Sequence, residues 1–351
     1  MALLSHKYQL LGLASAASLL ELGPIAALLN LGGSITTLLA AGLAYQVGNA
    51  FPISAHTGRS TLALVATIAV VLLLVLQIAT PGWFVALAVS SWALQSVRRA
   101  IAAGDDGDRP TTAQKRLARV CGFVLSTLLP MPASMLSVLA LLAAAVPAMS
   151  VMRKRSPRRP LLPEHSLEWT MLIHQTHYFA YAYAVPALVA RPGLGGIPFV
   201  GVWFALGWIS YLSAEMLWQR FPPRPVFILG HLSLTVVLLV LSALSDAPWA
   251  AMVFWVLSGF GGGTVYCLTL LHKREGLSHV RLERAEDGGH LTGVTLAIGG
   301  VSLFGWSAGT LPAVGAVCAL AAALTMIAML RFGSKSTASH SGTQGATHAR
   351  Q

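Results

Sequence analysis

Charge is what this sequence has least of. Of its 351 residues only 10% are Asp, Glu, Lys or Arg, against about 25% in an ordinary soluble domain. Acid is scarcer still: 12 Asp and Glu stand against 23 Lys and Arg, a formal net charge of +11. So little charge beside long uncharged apolar runs excludes a conventional soluble domain. The basic excess does not point to nucleic acid, because it is confined to short segments between apolar runs. Cysteine is rare too. Cys121, Cys267 and Cys318 lie far apart with no C-x-x-C pair, so no disulfide framework is offered. There are no clustered H-x-x-x-H boxes, no Ser/His/Asp set, and no loop long enough to hold a catalytic domain.

What is present is apolar length, with 55% of the residues hydrophobic. A helix crosses a bilayer with about 20 mainly apolar residues. On that measure twelve spans are predicted. The first six lie near 9–29, 34–50, 61–78, 82–97, 117–129 and 134–152. The second six lie near 167–190, 197–218, 225–244, 249–271, 291–307 and 312–330. The start of the chain mimics a secretory leader, but its apolar run reaches Leu29 and another follows at once, so it reads as the first span. With the N-terminus in the cytoplasm, every Lys and Arg except Arg191 falls on the cytoplasmic side. A span count wrong by one would move every later loop across the membrane, so the split supports twelve spans with both termini inside. The expected location is the cytoplasmic (inner) membrane, as a multi-pass protein embedded in the lipid bilayer.

The expected fold class is therefore an all-α membrane protein of two pseudosymmetric six-helix halves. The first occupies 1–152 and the second 167–332, joined by the basic cytoplasmic linker 153–166. The polar, repetitive segment 333–351 reads as a disordered tail, in which His340 and His348 are solvated rather than metal-binding.

Two such halves, with both termini inside and a basic central loop, resemble the major facilitator superfamily. The best local match is WQRFPPRPVFILG at 218–230, which resembles the second-half copy of the family's cytoplasmic loop motif G-x-x-x-D-R-x-G-R-R. Arg220 and Arg224 fit its basic positions; Gln219 stands where the acid is expected and Pro222 where the glycine is. Gly42, Gln46, Gly48 and Arg59 occupy the first-half place, without an acid. The tenth span carries the glycine-rich SGFGGGTVY, as that span often does in the family, whereas the fifth, CGFVLSTLLPMPAS, lacks the antiporter glycine-proline motif. The resemblance implies that spans one, four, seven and ten line a central cavity.

On those spans lie the polar residues that bilayer burial makes expensive. Span seven reads EWTMLIHQTHYFAYAYAVP, and on a continuous helix Thr170, His174, His177, Tyr178 and Tyr181 share one face. Such a stripe must face protein or water. His174 and His177 can exchange a proton near neutral pH, hydrogen-bond a polar substrate, or face one zinc, copper or nickel ion. They can also be two neutral histidines satisfied within a helix interface. Glu21 in span one costs roughly 2.5–3.5 kcal/mol if charged and unpaired, so it is protonated or paired. Trp255 and Tyr266 are brought by span ten. Glu215 is expected to form a gating or structural ion pair with Arg220, Arg224 or Arg59. Glu164, His165 and Glu168 read as solvated, and no arginine is expected in the cavity.

The function expected is secondary transport by alternating access, of a small solute, metabolite or metal chelate, with a proton as one candidate for the coupling ion. Glu21, His174, His177, Tyr178, Tyr181, Trp255 and Tyr266 are the expected substrate or proton-coupling residues. The alternatives are a transition-metal carrier, or a membrane enzyme or assembly factor with a histidine metal site. No cofactor is expected, and the chain is expected to be a monomer.

Overall fold

Every regular element among the described residues is a helix. The computed structural model describes residues 6–50, 69, 81–102, 110–145, 163–190, 193 and 195–340. The predicted third span apart from residue 69, Arg59, residues 153–162 of the linker and residues 341–351 lie outside them. The helices are α1 His6–Asn30, α2 Ile35–Ala50, α3 Pro81–Ala102, α4 Thr112–Leu128, α5 Met131–Ala145, α6 Ser166–Phe179 and α7 Val185–Val189. They continue with α8 Val200–Trp218, α9 Pro223–Ala243, α10 Pro248–Gly262, α11 Tyr266–Arg274, α12 His279–Phe304 and α13 Leu311–His340. The stretches Lys7–Asn30, Ile197–Trp218, Pro223–Ala243, Pro248–Arg274 and Leu311–Arg331 are each long and apolar enough to cross a membrane.

Local chemistry sets the boundaries. Thr111 caps α4, its hydroxyl accepting from the Gln114 N–H while the Gln114 side chain accepts from the Thr111 N–H. The helix stops at Leu128, just before Pro130, as the prolines there predict. His165 and Glu168 form the same reciprocal cap at α6. This corrects the solvated reading of Glu168. It is buried, accepting from the backbone N–H groups of Glu164 and His165 and from Arg281 at the start of α12.

Span seven is not one helix. α6 ends at Phe179, residues 180–184 form turns, and α7 resumes with Pro186 in its first turn. Proline has no N–H to donate and its ring crowds the preceding turn, so a continuous ladder through 182–186 is unavailable. Span ten is interrupted as well, by the 3-10 turn Gly263–Val265 between α10 and α11. Its glycines let it pack closely on α8: a Cβ on Gly259 would stand 2.2 Å from the Gly207 carbonyl oxygen. Before predicted span eleven the chain is already helical, because α12 runs unbroken from His279 to Phe304. α13 likewise continues to His340, so 333–340 are helical rather than a disordered tail; the lone Gly333 does not break the apolar helix that precedes it.

The packing pairs recur. α1 packs on α4 and α5 as α6 packs on α12 and α13, and α2 packs on α3 as α8 packs on α10. Counted in predicted spans, these three contacts of the first set each reappear six spans later. The sets meet through α2 against α12 and α4 against α8, two contacts that the same offset exchanges.

Candidate functional site

A cavity of about 480 Å³ lies where the two sets meet. Its lining residues come from the first part of α1, the starts of α4 and α12, the second half of α6, the middle of α8 and the ends of α2, α3 and α10. It therefore reaches toward the end of the bundle where α1 begins. The other end of the seam is tied shut: Thr127 on α4 donates to the Pro198 carbonyl (2.9 Å) and accepts from the Gly201 N–H (3.1 Å). Phe123 and Phe204 pack there edge to face, 5.0 Å between ring centres.

Glu21 is the buried charge at the heart of the cavity. Arg119 Nη2 donates to its Oε2 at 2.6 Å and the Tyr183 hydroxyl donates to its Oε1 at 3.2 Å. Gln46 Nε2 donates to the same tyrosine oxygen at 2.6 Å. The Arg119 guanidinium lies 4.6 Å from the centre of the Trp208 ring, a cation–π contact across the seam. Tyr183 thus ties the unwound part of span seven to α1 and α2. Replacing Tyr183 with Phe is expected to cost about 1–3 kcal/mol in detergent unfolding, because it deprives Glu21 of a donor and leaves Gln46 Nε2 unsatisfied.

Arg119 overturns the expectation of a cavity without arginine. α4 starts at Thr112, so Lys115, Arg116 and Arg119 stand three and four apart and all line the cavity. Leu117, Leu125 and Leu128 are exposed on the outside of the same helix. α12 answers with acid: Glu283, Glu286, Asp287 and His290 repeat that spacing and also line the cavity. A basic helix face and an acidic one therefore border the same space, at places that the six-span offset exchanges.

Of the residues singled out from sequence, Glu21, His174, His177, Tyr178, Tyr181 and Trp255 all line this cavity. Trp255 lies against Gly207, donates to the Trp203 carbonyl at 2.9 Å, and has Tyr178 and Tyr181 rings at 6.1 Å. Tyr266 does not join them: it packs with Phe227, Leu268 and Met326 in a second apolar cluster. Glu215 pairs with Arg116 across the seam; of the partners expected from the loops, Arg59 lies outside the described residues and neither Arg220 nor Arg224 takes that place. Arg224 lies 3.6 Å from Glu275, and Arg220 is exposed. Once α4 is seen as a helix with an inward basic face, Arg116 is the nearer partner for a glutamate on α8.

His174 and His177 gain a neighbour that the sequence reading passed over. His231 on α9 places its Nε2 2.8 Å from His174 Nδ1. A lone histidine in the apolar run FILGHLSL was the available signal. One ring nitrogen from each of the three lies within 4.8 Å of one from each of the others.

No family model matches the sequence, and no curated protein matches it either. Solved structures do. A bacterial metal transporter matches with a TM-score of 0.65 and 14% identity, over 93% of this chain and 99% of that one. The nucleoside transporter NupG gives 0.62 and 14%, over 94% and 100%. A D-xylose–proton symporter gives 0.62 and 12%, over 91% and 95%. The chain has a major-facilitator-type fold. With its long apolar helices it is an integral membrane protein. At these identities the likeness speaks to the fold and leaves the substrate to be argued from the site.

Proposed function

We propose that the chain is a secondary transporter that works by alternating access, with its substrate held in the cavity between the two sets. The observation that carries this reading is the cavity at a pseudosymmetric seam, centred on the buried Glu21–Arg119 pair. Twelve spans with both termini in the cytoplasm of a cytoplasmic-membrane protein, divided at the basic linker, account for the packing repeats. In that orientation the cavity reaches toward the cytoplasm and the Thr127–Pro198 end is closed. Rocking the sets about α2–α12 and α4–α8 would open the far end.

The lining suits a small polar solute or metabolite. Its volume falls among ligand pockets of about 300–1,000 Å³, and its aromatic wall sits beside both basic and acidic faces. A substrate with groups of both signs meets partners on α4 and on α12. Glu21 is the proton-coupling residue of this reading: protonation would release Arg119 and the Tyr183 tie that joins the sets. Solved structures of similar fold include transporters of metals, nucleosides, a sugar and peptides. That supports transport over a membrane enzyme without choosing among solutes.

The test is uptake into vesicles driven by a pH gradient, over a panel of metabolites, metals and metal chelates. At least one is expected to accumulate with the wild type. Accumulation should disappear in Glu21→Gln, and in His174→Ala or His177→Ala inserted at normal levels. Full uptake by all three variants would remove the site assignment.

A further inference from the structure

We propose that His174, His177 and His231 form a binding site for a late first-row divalent metal ion, zinc, copper or nickel, in the cavity wall. The tautomers favour it. His177 Nδ1 bonds the His174 carbonyl and His231 Nδ1 bonds the Phe227 carbonyl at 2.9 Å. Only N–H can donate to a carbonyl, so both rings keep an Nε2 lone pair. Metal-binding histidines are set in this way, with the far nitrogen donating to backbone or carboxylate.

The two Nε2 atoms are placed differently. That of His231 meets His174 Nδ1 at 2.8 Å, so in the empty site a proton holds those rings together. That of His177 is buried and has no hydrogen-bond partner among the described residues. A cluster kept only for packing gains nothing from this free lone pair, whereas a cation uses it. Metal–nitrogen bonds of about 2.0–2.1 Å put tetrahedral ligand atoms roughly 3.3 Å apart. The nitrogens already lie within 4.8 Å of one another, and ring rotations close the remainder. An entering ion takes the place of the proton between His174 and His231; His174 shifts to its other neutral tautomer, with that proton on Nε2, so the ring carries no charge.

The surroundings agree. The Phe227 ring stacks on His231 with centres 3.8 Å apart, and the Thr264 hydroxyl is 3.4 Å from His231 Nδ1. His174 and His177 line the cavity, so the fourth coordination position faces it and stays open to water or cargo. Imidazole donors select late first-row ions over magnesium and calcium, which take oxygen. All three ligands lie on the second set of helices. Rocking of the sets would carry the site intact from one side of the membrane to the other. In making the ion cargo, this inference rests on the transporter reading; the binding site itself does not.

The experiment uses the full chain purified in detergent, with His340 and His348 changed to Ala to remove tail histidines. Zn2+ is titrated against a chromophoric chelator, with Mg2+ as the contrast. The expectation is one Zn2+ per chain, no measurable competition from Mg2+, and affinity lower by at least about tenfold in His177→Ala and in His231→Gln. His279→Ala, which removes an exposed histidine (73%) outside the cluster, should bind as the parent does. Should either cluster variant elute as aggregate, Co2+ added to the parent protein decides instead. Intense tetrahedral visible bands support the site, and the pale octahedral spectrum overturns it. No Zn2+ binding by the parent, or unchanged binding in both folded variants, also overturns it. Zn2+-dye vesicles run beside the solute panel separate the two claims. Binding without Zn2+ entry, while a solute is still transported, ends the cargo role alone. If neither Zn2+ nor any solute is transported, the transporter reading fails, and binding in detergent still decides the site.

Discussion

Arg119→Ala is expected to lower the unfolding free energy of the detergent-purified protein by about 3–5 kcal/mol and to abolish transport. Removing one member of a buried pair leaves the other as an uncompensated charge, which accounts for that magnitude. Glu21 is 5% exposed, and besides Arg119 the Tyr183 hydroxyl is its one donor among the described residues. The double variant Glu21→Gln/Arg119→Ala should recover most of the stability, since no charge is then stranded, but none of the transport. Stability that falls further in the double variant would show that Arg119 acts through packing on Trp208 and Phe123, which its guanidinium also covers.

Gly42→Ala is expected to cost about 1–3 kcal/mol, the range for overpacking, and to reduce transport at least as strongly as Tyr183→Phe. A Cβ at position 42 would lie 2.2 Å from Tyr183 Cδ2 and 2.5 Å from Cε2. That ring is fully buried and its hydroxyl is bound by Gln46 and Glu21, so it has no easy direction in which to move. Gly42→Ala/Tyr183→Leu should regain stability in thermal unfolding, because the crowding is relieved. It should remain inactive, because the donor to Glu21 is gone. If Gly42→Ala matches the wild type in both measurements, the seam at Tyr183 is looser than the geometry requires.

The parts of the fold that follow from hydropathy were legible in the sequence. Spans have lengths fixed by the bilayer, and Pro130 marked the end of α4 as expected. What hydropathy does not carry is which way a charged helix end turns. By sequence, Lys115, Arg116 and Arg119 count with the cytoplasmic side because a run of basic residues beside an apolar segment has that form. The structure shows a helix already formed by Thr112, whose three- and four-residue spacing turns those cations into the cavity. A start near 291 for span eleven leaves Glu283, Glu286 and Asp287 outside it for the same reason.

The site was half legible. Glu21, His174, His177, Tyr178, Tyr181 and Trp255 could be found because polar and aromatic residues inside spans are conspicuous. Tyr183 fell off the predicted stripe because that stripe assumed an unbroken helix. Pro186 disrupts the ladder, and the resulting turn swings Tyr183 toward Glu21 and Gln46. His231 was missed because a single histidine in an apolar run is most often a satisfied core residue; its partner lies 57 positions earlier and appears only once α6 and α9 are folded together. Tyr266, on a cavity-lining span, turned instead into the second cluster, since a span lines a cavity with one face only.

Alternating access requires the two sets of helices to open the two ends of one cavity in turn. The most direct measurement is the distance between spin labels on cysteines placed at Leu128 and Phe199, in a background with Cys121, Cys267 and Cys318 changed to Ser. Both label sites are exposed, at the end of α4 and beside the start of α8, flanking the closed end of the seam. A short distance that matches this structure is predicted in the resting protein, joined by a longer population when a transported solute is added or the pH is lowered. One unchanging distance under every condition, in protein that still transports, would contradict rocking of the two sets.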